Sequence, residues 1–463
     1  MSCWGIRQCA IGLLALIWVI PLDDAAFGGT AAGIQRIQAL YDEKDYQKAL
    51  EELTKLDADA SSSPAVRRLK IRTLLRLGKL KDALTDYDTL AQLLKHEDES
   101  ILQEVALAFV VVLTKDMREQ MRGVAYTALK EWHSPEAIPF LEDGLNDGSG
   151  LVRALAAEGL AKLDEGRRSA RFRQALDDQA ALVKEAVLKG LGKSGDASVL
   201  GFVEPVLQDP EVRVRVAAAE ALCRFGRTQG CTLLQQSGKA PNPDERGAAI
   251  RALIDLQGAQ VLPILIEASE HKQPSVRGVA AMGFAHVPKP EAVTVLTRLL
   301  QDPLPPVRVA AAVSLGQLHG FDARSPLRKA IAEDRDASVR AFVIGGLLEQ
   351  GERFDELSAP ISALSNTKEP AVRTALARAL ARASEGNRTA ARSVLRSLFA
   401  DTMPRVRIAA LKSMAKLDGM GALPLLKQGL HDEDDAVRAT AGGELLRIMQ
   451  SRDHVSTGVA IPH

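Results

Sequence analysis

Residues Asp209–Leu222 read DPEVRVRVAAAEAL, and Asp302–Leu315 read DPLPPVRVAAAVSL in the same frame 93 residues later. Ninety-three is three times 31, so the segment belongs to a repeat, and its Val-Arg pair serves to find the other copies. The first position of that pair falls at Met121, Val152, Val183, Val214, Glu245, Val276, Val307, Val339, Val372, Val406 and Val437. Six successive steps are 31 residues long, the next three are 32, 33 and 34, and the last is 31 again. Eleven copies at so regular a spacing define the architecture of most of the chain.

The columns of this alignment say what each position does. Eight residues after the anchor stands a large apolar residue in all eleven units, Leu in most, Phe284 and Met414 in two. Three, four and seven residues after it stand mostly Ala, Gly, Ser and Val. Offsets 0, 3, 4, 7 and 8 trace one stripe of an α-helix, and small residues in the stripe let a neighbouring helix approach closely. Five residues before the anchor, eight of eleven units carry Asp, as at Asp209 and Asp302. An aspartate ahead of an amphipathic helix accepts orphan backbone N–H groups. Pro210, Pro303, Pro306 and Pro404 follow where a first turn tolerates proline. A first helix precedes each of these, as in PEAIPFLEDGL, Pro135–Leu145. One helix–turn–helix of 31 residues is too small to bury its own apolar face, so the units must stack into a solenoid. The expected fold is all-α, a right-handed superhelix of helical hairpins.

Arginine follows the anchor in ten units and Lys184 in the remaining one. The column reads as a ladder, each cation pairing with a turn aspartate of its own or the adjoining unit by charge-assisted hydrogen bonds. The last unit departs from the pattern at Gly442, Gly443 and Glu444, which reads as the place where stacking stops.

Composition agrees. Apolar residues make up 46% of the chain but aromatics only 4%, which suits thin helical layers built from Ala, Val and Leu. Basic and acidic residues number 59 each, so the chain as a whole lacks the electrostatic footprint of a nucleic-acid binder.

The motif DPEVRVRVAAAEALCRFG and its relatives resemble the short HEAT repeat of the phycobilisome-lyase type. That resemblance covers about residues 98–450 and implies a binding scaffold or, in a few cases, an enzyme. Upstream, LYDEKDYQKALEEL and LLRLGKLKDALTDY place Ala49 and Ala83 34 residues apart, with Gly78 at the turn of the second copy and Lys44 at that of the first. This resembles two tetratricopeptide units over residues 29–97.

Residues 1–28 read differently: Arg7, an apolar run from Cys9 to Ile20, Pro21, then small residues. That is the layout of a cleaved secretory signal, with an uncleaved N-terminal anchor as the alternative. No other segment is read as a membrane span. Cleavage leaves Cys223 and Cys231, which an oxidising compartment permits to pair; their apolar columns favour buried thiols. A polar tail is expected over residues 451–463.

No HExxH, P-loop or GxSxG motif occurs. Proteins resembling deoxyhypusine hydroxylase hold iron with His-Glu pairs, and the one such pair here, His96-Glu97, sits in the charged run KHEDES. No catalytic residue, metal or cofactor is expected. Offsets 2 and 6 of each second helix face away from the packing stripe. In most units offset 6 is charged or polar, but it is Met282 and Val313 in two neighbours, with Val309 at offset 2 beside them and Arg251 at the edge. These four make the expected partner-binding patch. The reading is an exported scaffold, periplasmic or secreted, that binds a protein or peptide and neither nucleic acid nor cofactor. The rival is a lyase-type or metal-dependent enzyme, or a subunit of one, acting on a protein substrate.

Overall fold

A computed structural model describes residues 31–56 and 63–457, and every regular element among them is a helix. The signal segment expected over residues 1–28 lies outside the described residues. The chain divides into two compact units, residues 1–109 and 110–463.

In the first unit, helices Ala31–Asp42 and Tyr46–Thr54 form one hairpin, and Pro64–Arg76 and Leu80–Leu94 form another. Ala49 and Ala83 are both fully buried. The two turns are closed by residues 34 apart in the left-handed region, Lys44 at φ 65° and Gly78 at φ 71°. The lysine therefore adopts the conformation that glycine adopts at no steric cost in the second copy.

The second unit contains the eleven repeats. Its second helices run Glu119–Trp132, Gly150–Lys162, Ala181–Gly192, Val212–Arg224, Pro243–Gln257 and Pro274–Gly283 in units 1 to 6. Units 7 to 11 continue with Pro305–Gln317, Ala337–Glu349, Pro370–Leu380, Pro404–Asp418 and Asp435–Thr457, the last running into the expected tail. Each packs along the next. First helices pack mainly on second helices of their own neighbourhood, and among successive first helices only Phe354–Ser365 and Arg388–Phe399 pack substantially on each other. Helices that touch on both sides line the shorter, inner circumference.

The stack does not end at unit 11. Asp435–Thr457 packs against Glu119–Trp132 of unit 1 as extensively as most neighbouring second helices pack on each other, so the solenoid closes on itself. The seam uses an ordinary junction's register. A Cβ built on Gly443, offset 6 of unit 11, would lie 2.5 Å from Ala128 Cβ, offset 7 of unit 1. A Cβ on Gly345, offset 6 of unit 8, would lie 3.1 Å from Ala379 Cβ, offset 7 of unit 9. The expectation that stacking stops at Gly442–Glu444 is thus overturned: the bare backbone at Gly443 admits one more helix. Arg118 joins the two ends electrostatically, pairing with Asp116 at 2.8 Å and with Asp435 at 3.5 Å, while Arg438 also pairs with Asp435.

The arginine ladder is present, and it runs between units. Arg122 bonds Asp147, Arg153 bonds Asp178, Arg277 bonds Asp302, Arg308 bonds Asp334, Arg373 bonds Asp401 and Arg407 bonds Asp432, each with two nitrogens on two carboxylate oxygens. Lys184 reaches Asp209 in the same way. The third nitrogen returns to its own unit's turn, as Arg277 Nη1 donates to the carbonyls of His271 and Lys272. The aspartates are not N-caps as expected. Each accepts the N–H two residues on, as Asp302 does from Leu304, and the cap position falls there instead. The carboxylate's remaining capacity is thereby free for the neighbouring unit's guanidinium.

Six of these carboxyls are held below their ordinary values. At Asp302 burial opposes ionisation, but Arg277, the Leu304 N–H and the charge of Arg308 together outweigh it; at Asp178 the bond from Arg153 is the largest effect. Asp147, Asp209, Asp334 and Asp401 shift in the same direction. A carboxyl with a depressed folded value contributes stability that is fully present above its unfolded value, about 4, and is lost as pH falls through the folded one. Thermal melts are therefore expected to be flat in this contribution from pH 7 to 5 and to fall steeply below about pH 4, with several rungs protonating together. A midpoint unchanged down to pH 2.5 would contradict the ladder.

Cys223 and Cys231 form a disulfide with a Cα–Cα distance of 4.7 Å, correcting the expectation of buried thiols. The pair joins the second helix of unit 4 to helix Thr228–Ser237, which follows it after a tight turn at Gly226. The turn brings two columns together that are eight residues apart in sequence. The stretch Pro243–Ala268 is long and apolar enough to cross a membrane by composition alone. Gly258, at φ 54°, breaks it into the second helix of unit 5 and the first helix of unit 6.

Candidate binding site

Closure turns the inner helices' free face into a lumen. Eleven helices at the usual spacing of about 9 Å make a round ring about 30 Å across between axes, leaving an opening of roughly 20 Å after side chains. The face that looks inward is fixed by a recess of about 320 Å³ spanning the inner helices of units 10, 11, 1 and 2. It is lined by Gln120, Gly123, Thr127 and Glu131 of unit 1, at offsets −1, 2, 6 and 10, and no first-helix residue contributes. Short side chains at Gly123 of unit 1 and Gly443 of unit 11 leave room for it on the two sides of the seam. Val124, Leu151, Leu155 and Ile408 give it apolar walls, and Lys412 and Glu444 stand at its edge.

Charge is unevenly distributed around the lumen. At offsets −1, 2, 6 and 10, units 1 to 7 carry six basic and six acidic side chains. Several of these are paired, as Lys162 with Glu131 and Arg213 with Glu185. Units 8 to 11 carry six basic side chains, Arg378, Arg382, Arg405, Lys412, Lys416 and Arg447, and one acidic, Glu349. Arg382 is paired with Glu349, and Arg447 with Glu444. Arg378, Arg405, Lys412 and Lys416 are exposed and have no ion pair or side-chain hydrogen bond among the described residues.

The four residues expected to bind a partner all stand on lumen columns. Met282 is half exposed, Val309 and Val313 are partly buried, and Arg251 is exposed without a partner. Although open to water, Arg251 is crowded by surrounding chain; desolvation first, and then the charge of Arg213, lower its pKa against Glu185 and Asp244. A recess beside this patch, of about 270 Å³, is lined at the N-terminal turns by Pro274, Ser275, Leu304 and Pro306 rather than by Met282, Val309 or Val313. The larger recess was not legible in the sequence because Gln120 and Gly443 lie more than 300 residues apart and meet only by closure. Its signal was the last helix itself, apolar on the side where a terminal cap would be polar. Among the described residues no group of three or more His, Cys, Asp or Glu side chains is placed to hold a metal ion.

Fold and site together define a closed α-solenoid of helical hairpins with an inward-facing binding surface. The chain belongs to the HEAT-repeat family: the profile of HEAT repeats matches residues 106–192, 169–254, 262–347 and 357–447, and that of the PBS lyase HEAT-like repeat matches residues 245–271. No curated protein matches the sequence. Among solved structures, human deoxyhypusine hydroxylase in complex with glycerol is 21% identical, with 55% of this chain and 99% of that one covered at a TM-score of 0.31. The CpcE–CpcF complex of phycocyanin lyase from Nostoc sp. PCC7120 is 18% identical, with 57% and 94% covered at a TM-score of 0.32. Likenesses at this identity reach no further than the helical repeat fold.

Proposed function

We propose that the chain is an exported, non-enzymatic scaffold of a bacterial envelope, periplasmic or secreted, that holds a protein or peptide partner on its inner surface. The observation that carries this reading is a group of lumen side chains left without partners, among them four cations in units 9 and 10, Lys189, Lys193, Arg251 and the apolar Met282. A solenoid held together by ladder and stripe has no structural need of them. Recognition then proceeds by shape and scattered contacts around the ring. Export is supported by the layout of residues 1–28 and by the Cys223–Cys231 disulfide, a bond that persists in oxidising compartments. The two helical hairpins of residues 31–94 are read as tetratricopeptide-like, a second peptide-binding module.

A photo-crosslinking side chain placed at Met282 or Lys412 in the native envelope tests this. Both positions are expected to capture the same saturable protein partner, while Phe202, exposed on a first helix, captures none. Val313→Asp is expected to weaken capture about ten-fold with little change in melting temperature. A stoichiometric metal or chromophore on the purified protein, with no crosslinked partner, would overturn the scaffold in favour of the enzyme.

A further inference from the structure

Resting on the reading that the ring holds a polypeptide, we propose that its partner is an acidic segment, seated on the basic arc of units 9 and 10 with an apolar side chain in the recess beside it. Three observations converge. Charge on the whole chain balances, yet the lumen wall from unit 8 to unit 11 is almost entirely basic, and the imbalance is confined to that arc. Its four unpaired cations lie on two adjacent inner helices: Arg378 and Lys412 hold equivalent offsets, and Arg405 and Lys416 lie about two turns below and one turn above Lys412. Every other Arg in these two units' turns is engaged in the ladder, as Arg373 and Arg407 are. Leaving like charges together without counterions costs stability, a cost that a carboxylate-bearing partner relieves.

The recess supplies the second half of the recognition. Lys412 belongs to both features, so a chain laid along the arc passes directly over the pocket walled by Val124, Leu151, Leu155 and Ile408. A pocket of about 320 Å³ suits one or two large aliphatic or aromatic side chains. Nucleic acid fits this surface less well. Over units 1 to 7 the lumen columns carry six carboxylates matched by six cations, so a phosphate backbone threaded through the opening gains no net attraction there, and no Phe, Tyr or Trp stands on the lumen columns to stack a base. An acidic peptide needs only the one arc, and its apolar anchor uses the recess that a phosphate backbone leaves empty.

The test is selection of a random dodecapeptide library on the immobilised mature chain, followed by affinity measurement of the selected peptides. Recovered peptides are expected to be enriched in Asp and Glu and to carry a Leu, Ile, Met or Phe. They are expected to bind Arg378→Glu/Lys412→Glu at least about ten-fold more weakly, and to weaken with added salt. Lys329→Glu, a charge reversal on a first helix, should leave affinity unchanged. The double variant should melt at or above the parent temperature, because neither cation is paired in the parent protein. Peptides without acidic enrichment, or with equal affinity for the double variant, would overturn the acidic partner while leaving the capture reading intact if the lumen crosslinks succeed. Recovery of no peptide overturns this proposal, and combined with failed crosslinks it removes the capture reading too. Binding of an oligo-dT 20-mer that competes with the peptides and depends equally on Arg378 and Lys412 would assign the arc to nucleic acid instead.

Discussion

Gly443→Leu is expected to open the ring. The seam helix reaches unit 1 because residue 443 has no side chain: a Cβ there would sit 2.5 Å from Ala128 Cβ and 3.2 Å from Ala128 Cα, closer than packed carbons come. Overpacking a filled contact costs about 1–3 kcal/mol when neighbours can shift. Here the neighbour is itself an inner helix fixed by unit 2, so the strain falls on the last contact to form. The variant should keep its helix content, lose about 2 kcal/mol or more in denaturant unfolding and gain hydrodynamic radius. Gly123→Leu is the matched control, because a Cβ at Gly123 meets nothing within 4 Å and projects into the lumen. If both variants behaved alike, the seam would not be the packed junction described.

Phe172→Ala is expected to have the largest effect on stability within a single repeat. Phe172 is fully buried between the inner helices of units 2 and 3, and aromatic residues are scarce in the chain. Its ring occupies space that Gly190 leaves open: a Cβ on Gly190 would lie 2.6 Å from Phe172 Cζ. Truncating a buried Phe costs about 3–5 kcal/mol through lost transfer energy and the cavity that remains. The complementary change, Gly190→Ala, is destabilising by itself, since it also meets Ala161 Cβ at 2.8 Å. Combined with Phe172→Ala it fills part of the new cavity, so the double variant should lose less than the sum of the singles. Additive losses in urea titrations would show that the two positions do not share one packing site.

Much of this was legible in the sequence because the repeat supplies its own controls. Eleven copies of one column separate what every unit needs, such as the large residue at offset 8, from what single units do differently. The ladder could be expected from Arg and Asp columns, and its inter-unit direction follows from a spacing of about 25 residues between partners such as Arg277 and Asp302. The aspartates were misplaced by two residues because a side chain that accepts the N–H two residues on resembles a helix cap in a sequence pattern. Cys223 and Cys231 looked like independent apolar positions, since the pattern treats successive helices separately and the tight turn at Gly226 joins them.

Closure was the feature least accessible to the sequence. It depends on a small rotation per unit accumulated over eleven units, and no residue encodes that sum. The final helix carried a trace of it: Ala439, Ala441 and Leu446 are buried, whereas a solenoid's last helix is expected to turn a polar face to water. The recess follows from closure, which brings unit 11 beside unit 1 and so sets the recess next to the basic arc of units 9 and 10. The site is therefore a property of the ring and of no single repeat.

The most direct test of the closed ring is a distance between its two ends. Met117 and Glu433 hold the same position in units 1 and 11 and are both strongly exposed, so each accepts a spin label as Cys without disturbing the seam. With Cys223 and Cys231 kept in their disulfide, pulsed electron–electron resonance on the Met117→Cys/Glu433→Cys protein should give a narrow distribution at about 10–30 Å, the separation of neighbouring helices plus two label arms. Ten inter-unit steps in an open stack would put the labels about 60 Å or more apart, with a broad distribution, and that result would contradict the ring.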